Sequence, residues 1–184
     1  MFKNLRAPTF HTNRLFIRLI DPIDINGLYE VSKSSNVTRY LTFNPHKSIR
    51  QTRMVIENML QSYFSGHSVN FAIIEKNLNK MIGSVSLTFS MTNNSAEIGY
   101  ILNDNFWNKG YMSEVIEKLI DISFTYYGLD TLFAKHILEN EASKRILLKN
   151  NFKLTRIVEN GFTKNFVSYT ILEYILDKNT YFAK

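Results

Sequence analysis

The stretch AEIGYILNDNFWNKGYMSEVIEKLI, Ala96 to Ile120, carries the residue types and spacing with the plainest chemistry. Ala96–Leu102 sets β-branched and aromatic residues among small ones, as a strand does. Asn103–Lys109 is polar apart from Phe106 and Trp107. From Met112 onward, Val115, Ile116, Leu119 and Ile120 recur at helical spacing. A strand feeding a helix through such a loop can hold an anion, because the helix start offers unpaired N–H groups and the positive end of its dipole. Gly110 lets the backbone approach a phosphate closely. An ordinary connection between a strand and a helix looks the same, so the stretch on its own allows both readings.

Other reactive side chains are sparse. The chain has no cysteine, which excludes disulfides, thiolate metal sites and a cysteine nucleophile. The four histidines, His11, His46, His67 and His136, have no metal-ligand spacing, so no metal is expected. A net charge of +6 and a pI near 9.4 suit an anionic partner. The basic residues are spread along the chain, and no zinc-finger, leucine-zipper or RNA-binding signature accompanies them. A phosphorylated small molecule is therefore expected, and nucleic acid is not. No apolar run approaches the ~18 residues needed to span a bilayer, and MFKNLRAPTFHTNRL lacks the apolar core of a signal peptide. The expectation is no membrane association and a cytoplasmic location.

The elements that must position these residues can be read in order. A length of 184 residues with 45% hydrophobic content suits one domain over 1–184. Thr12–Leu19 alternates and reads as a strand. Asp21-Pro22 reads as a cap and first turn, and Ile23–Ser34 as a helix with Ile25, Leu28, Tyr29 and Val31 inward. Val37–Leu41 is short and irregular. Ser48 and Gln51 form a capping-box pattern before a helix that buries a selection of Met54, Val55, Met59, Leu60 and Tyr63, ended by Gly66. Val69–Glu75 and Met81–Ser90 read as a hairpin across Lys76–Lys80, and Ala96–Leu102 as the next strand. The helix Tyr111–Tyr127 ends at Gly128. Thr131–Leu138 follows as a strand expected to be parallel to its predecessor. Asn140 can cap the helix Glu141–Asn150, and Asn151 can take the left-handed turn that ends it. Phe152–Glu159 and Phe166–Leu176 are the last strands, with a turn expected at Asn160-Gly161. The fold class is α/β (α+β), with a mixed central sheet of about seven strands and helices on both faces. The late strands offer edges on which two copies could pair as a homodimer.

This order, with a glycine loop after the fourth strand, resembles the GCN5-related N-acetyltransferase (GNAT) superfamily. It is most similar to the branch that acetylates the N-terminal amine of ribosomal proteins. TNRLFIRL, SNVTRYL, FAIIEK…MIGSVSL, AEIGYIL, FWNKGYMSEV and NEASKRILLKNNFKL carry the resemblance over most of the chain. It implies that the fourth and fifth strands splay apart and that acetyl-CoA is the donor, with CoA the product. Backbone groups of Tyr100, Ile101 and Leu102 would then meet the pantetheine arm. The diphosphate would sit on Trp107, Asn108, Lys109, Gly110, Tyr111, Met112 and Ser113, while Asn140 and Ser143 approach the pantetheine and the thiol. Acceptor recognition would fall to Arg39, Tyr40 and the Ser48–Ser65 helix. Three departures stand out. Trp107 opens the loop pattern where Gln or Arg is common, Met112 closes it where Gly or Ala is common, and Leu147 stands where many relatives place a tyrosine acid.

The chemistry so implied needs a neutral amine, donors for the thioester oxygen and a stabilised leaving thiolate. Glu97 shares a strand face with Gly99 and Ile101 and is the candidate base, acting through water; a plain solvated or ion-paired glutamate is its alternative. Ser143 is the candidate donor to the thiol in place of the absent tyrosine. The expected function is acetyl transfer to a protein N-terminal α-amine, by direct attack in a ternary complex. A polyamine or aminoglycoside acetyltransferase and a non-catalytic acyl-CoA-binding regulatory module are the alternatives.

Overall fold

In the computed structural model, which describes residues 6–183, eight strands form a single sheet in the order β1-β2-β3-β4-β5-β6-β8-β7. They are β1 (Phe10–His11), β2 (Leu15–Leu19), β3 (Ser68–Glu75), β4 (Lys80–Phe89), β5 (Ser95–Leu102), β6 (Thr131–Ile137), β7 (Lys153–Lys164) and β8 (Val167–Asp177). The two-residue β1 is the one strand beyond the seven read from sequence. It is too short to show a period and exists by pairing with Phe16 and Ile17. Helices α1 (Ile25–Ser32), α2 (Ser35–Thr38) and α3 (Ile49–Phe64) lie between β2 and β3. Helix α4 (Tyr111–Thr125) joins β5 to β6, α5 (Glu141–Lys149) joins β6 to β7, and α6 (Lys178–Phe182) follows β8.

Alternation along β3 divides the core. Val69, Phe71 and Ile73 join a cluster with Val115, Ile116 and Leu119 of α4 and Leu147 of α5. Ala72 and Ile74 point the other way, to Leu28 of α1 and Ile56 of α3. Side chains two residues apart share one face of a strand, so the sheet is covered on both sides.

Local signals mostly act as read. Asp21 caps the turn Pro22–Asp24, Ser48 caps α3 and Asn140 caps α5. Ser34, expected to end the first helix, instead caps the short α2. The inward face of α3 is centred on Thr52 and Ile56, with Val55, Met59, Leu60 and Tyr63 partly buried; Met54 is 56% exposed, contrary to its expected candidacy. Asn160-Gly161 does not turn the last hairpin. Val158 faces Ile171 and Phe162 faces Tyr169, so the dipeptide bulges inside β7. The turn is Asn165-Phe166, both at positive φ.

The decisive feature is the junction of β5 and β6. They run parallel and pair at three positions only, Ser95/Thr131, Ala96/Leu132 and Glu97/Phe133. Each stays paired on its other side: β5 with β4 as far as Leu102, β6 with β8 as far as Ile137. The two strands therefore diverge beyond Glu97 and leave backbone unpaired along the gap.

Candidate active site

Two cavities meet at this gap. One, of about 450 Å³, lies beside the start of α4 and α5. The other, of about 700 Å³, runs between the connection from α2 to α3 and the β7–β8 hairpin. Both are lined by Tyr40, Leu41, Tyr100, Ile101, Asn140 and Ser143. Glu97 lines the larger cavity alone.

The smaller cavity is built around the loop before α4. Asn108 and Gly110 take positive φ, 58° and 79°, which turns the backbone sharply into the helix. Gly110 is the N-cap and supplies no side-chain acceptor, so the first-turn N–H groups of Tyr111, Met112 and Ser113 have no intrahelical carbonyl to meet. These residues line the cavity, as do Leu102, Trp107 and Asn108. The open donors and the positive end of α4 fit a diphosphate, and the unzipped edge of β5 fits an amide-bearing arm. Met112, bulky as it is, is buried in the main core cluster. Lys109 is not among the lining residues; its ammonium donates to the Asn105 carbonyl at 2.9 Å. The Trp107 indole N–H donates to the Leu102 carbonyl at 2.8 Å, closing the end of β5 onto the loop.

Arg14, not singled out by the sequence, holds this loop from the far side. Its guanidinium donates to the Lys109 carbonyl at 2.8 Å, pairs with Glu114 at 2.7 Å, and lies 4.1 Å from the centre of the Tyr111 ring. Its backbone N–H also reaches Glu114. Burial pushes the Glu114 carboxyl up, but hydrogen bonds from Thr12 and Arg14, with the Arg14 charge, outweigh this and hold it below its ordinary value. Arg14 thus spans Gly110, gripping the residue before it and the helix just after.

At the meeting point, the Tyr100 hydroxyl and Ser143 Oγ are 2.6 Å apart. Ser143 is buried, and its N–H donates to Asn140 Oδ1 at 3.1 Å, so the cap that starts α5 also fixes the serine. Burial pushes the Tyr100 phenol up to about 12, the Ser143 bond acting against that. Leu147, where the resemblance implies a tyrosine, is buried apolar core.

The larger cavity gathers residues from across the chain. Glu97 pairs with Lys135 at 3.0 Å, both half-exposed. Phe43, His46, His136, Phe162 and Glu173 also line it. His46 Nδ1 lies 2.8 Å from Thr52 Oγ1, and burial pushes its imidazole down. His136 Nδ1 faces the Ile137 carbonyl at 2.8 Å and Nε2 faces the Tyr174 hydroxyl at 3.1 Å. A carbonyl only accepts, so Nδ1 carries the proton and Tyr174 donates to Nε2. His136 is thereby fully engaged. Tyr40 lines both cavities, whereas Arg39 stacks over the Tyr40 ring at 5.2 Å and lines neither.

Lys164, which the sequence does not mark, lies outside this cavity's lining but fastens the segment that supplies Leu41 and Phe43 to it. From the end of β7 its ammonium donates to the carbonyls of Thr38, Leu41 and Phe43 at 2.7, 3.0 and 2.8 Å. The side-chain amides of Asn44 and Asn165 exchange two bonds at 3.2 Å beside it. The hairpin tip is thus strapped to the connection between α2 and α3.

Comparison with known proteins agrees with this arrangement. A model of the acetyltransferase (GNAT) domain family matches residues 14–153. An uncharacterized N-acetyltransferase, p20, of Bacillus licheniformis is 33% identical over 146 residues, 79% of this chain and 82% of the relative. Among solved structures, the RimL ribosomal L7/L12 α-N-protein acetyltransferase in complex with coenzyme A superposes with a TM-score of 0.84 at 20% identity, covering 92% of this chain and 97% of that one. The spermidine N-acetyltransferase of Vibrio cholerae in complex with CoA and spermine gives a TM-score of 0.81 at 18% identity, covering 92% and 99%.

Proposed function

The chain belongs to the acetyltransferase (GNAT) family, an acetyl-CoA-dependent N-acetyltransferase, and from that premise we propose that its acceptor is the α-amine at a protein N-terminus. The observation that carries the reading is the meeting of two cavities at Tyr100 and Ser143, where β5 and β6 part. Donor and acceptor can be held at once, which is what direct attack in a ternary complex requires.

Bound acetyl-CoA supplies an activated acetyl thioester. The N–H groups of Tyr111, Met112 and Ser113, on the dipole of α4, hold its diphosphate, and the open backbone of Tyr100 orients its arm along the gap. Ile101, expected to share that task, turns its backbone groups toward β4. The Ser143 hydroxyl donates toward the departing sulfur. Glu97, at the wall of the larger cavity, takes the amine proton through water. A peptide α-amine has a pKa of about 7.7–8.0, against about 10.4 for lysine, so a half-exposed carboxylate suffices for it.

Charge favours this acceptor over a polyamine. The carboxylates lining the larger cavity are Glu97 and Glu173, and Glu97 already faces Lys135. A polycation would find little to neutralise it there. One amine on a chain with apolar neighbours fits Tyr40, Phe43 and Phe162. The test is thiol release from acetyl-CoA with a panel of N-terminal peptides, spermidine and aminoglycosides. Release with peptides, abolished when the α-amine is blocked, is expected. Faster release with spermidine or an aminoglycoside would overturn the acceptor, and tight CoA binding without release from any amine would make the protein a binding module.

A further inference from the structure

The hydroxyl pair at the cavity junction has a consequence for which proton goes where. Tyr100 and Ser143 bring two hydroxyl protons to one 2.6 Å contact, and one bond uses one proton. No other acceptor within the described residues takes a bond from either hydroxyl. One proton is therefore committed to the pair and the other is left to point into the cavities. The phenol is the more acidic partner and so the better donor. Burial pushes it up to about 12, so it keeps its proton across any working pH. The ring packs against the main core and Asn140 anchors the Ser143 backbone, which holds the two oxygens together. Either hydroxyl can donate by turning its O–H, and the phenol's greater acidity is what selects Tyr100.

We propose that Tyr100 is a positioning residue: it donates its hydroxyl proton to Ser143 Oγ, which commits the serine's own proton to the cavity and strengthens Ser143 as a donor to a thiolate. This rests on the reading of Ser143 as the group facing the departing sulfur. No proton need transfer along the pair. The sulfur leaves with the electron pair of the broken carbon–sulfur bond and is held as a thiolate by the serine hydroxyl, while the amine's proton goes to Glu97 and water. Hydrogen bonds in series polarise one another, so losing the first weakens the second. The family resemblance implies a tyrosine where this chain has Leu147; the geometry supplies a tyrosine from the strand instead, one hydroxyl removed.

The test uses CoA as the probe, with the thiol of the bound cofactor titrated by the ultraviolet absorbance of its thiolate. In the wild-type complex the bound thiol should titrate below the ordinary value of about 8.5. Tyr100→Phe, which keeps the ring and its packing, should raise that value by up to about one unit, and Ser143→Ala by at least as much. Adding Tyr100→Phe to Ser143→Ala should change nothing further, because the tyrosine acts only through the serine. Turnover in Tyr100→Phe should fall about tenfold with the KM for acetyl-CoA unchanged. An unmoved titration in Tyr100→Phe, beside a raised one in Ser143→Ala, would overturn the role of Tyr100 and leave that of Ser143 standing. An equal shift from Tyr100→Phe with or without Ser143 would overturn action through the serine. An unmoved titration in Ser143→Ala would remove the reading of Ser143 itself.

Discussion

The two cavities that meet at Ser143 are built in opposite ways. The smaller draws on two short stretches, Tyr100–Ser113 and Glu139–Lys149, with only the edge of α2 and the residues after it added. Its central device is a turn of backbone at Gly110 and an open helix end, which local sequence encodes. The larger takes residues from Leu28 to Glu173, and its rim is fastened by Lys164 reaching carbonyls more than a hundred residues away. The first is a backbone site, with donors that every residue but proline carries. The second is a side-chain site, whose lining beyond the six shared residues can be exchanged without touching the first. A fold made this way can keep one donor and change acceptors.

Three substitutions probe that division. The largest effect is expected at Gly110, where φ is 79°. A Cβ there has room, the nearest atom being Arg14 Nη2 at 3.5 Å, so strain is the issue and not a clash. Left-handed geometry costs a side-chain-bearing residue roughly 1–2 kcal/mol, and more when it is β-branched. Gly110→Val should weaken CoA binding, measured by calorimetry, by about tenfold or more, with the acceptor KM unchanged in the turnover assay. Equal damage to both constants would show that the halves are not separable.

Lys164→Met comes next and addresses the other half. Burial pushes the lysine down, and its three carbonyl partners sit on the segment that supplies Leu41, Thr42 and Phe43 to the larger cavity. Loss of charged hydrogen bonds at this partly exposed place should lower stability by about 1–2 kcal/mol. The acceptor KM should rise several-fold while calorimetric CoA affinity stays put. The smallest effect is a gain. Phe166 is fully exposed at a φ of 66°, so its ring packs on nothing while its backbone is strained. Phe166→Gly should raise stability by up to about 1 kcal/mol, a rise of roughly 2–4 °C in melting temperature, and leave both constants alone.

The same division governs what could be read beforehand. The strand, loop and helix around Gly110 and the Asn140 cap are local patterns, and each is where its residues suggested. Arg14 and Lys164 act across 95 to 126 positions, and a lone basic residue in a strand or loop carries no mark of so distant a partner. Asn160-Gly161 was misread for a different reason. It has the composition of a hairpin turn, but the pairing of Phe162 with Tyr169 and Lys164 with Val167 extends the strands past it. The turn then falls on a phenylalanine in left-handed geometry, which no turn rule would choose. Met54 fell outside because the burial stripe of α3 is centred on a threonine bonded to His46. Tyr100 was legible as a strand residue beside the gap, whereas its hydroxyl partner depended on how α5 docks.

The parting of β5 from β6 also bears on solubility. Unpaired backbone at the outer rim of a sheet recruits strands from other molecules and starts aggregation. Here the open stretch lies in the sheet's interior, stitched shut at one end by the pairs from Ser95 to Glu97. β4 and β8 already occupy the outer flanks of the two strands. Because the open stretch is enclosed by the sheet, it is not offered along its length as an outer edge is. A slender, flexible tether can still enter the wedge, so this main chain is displayed at lower risk than the same stretch would be at the rim.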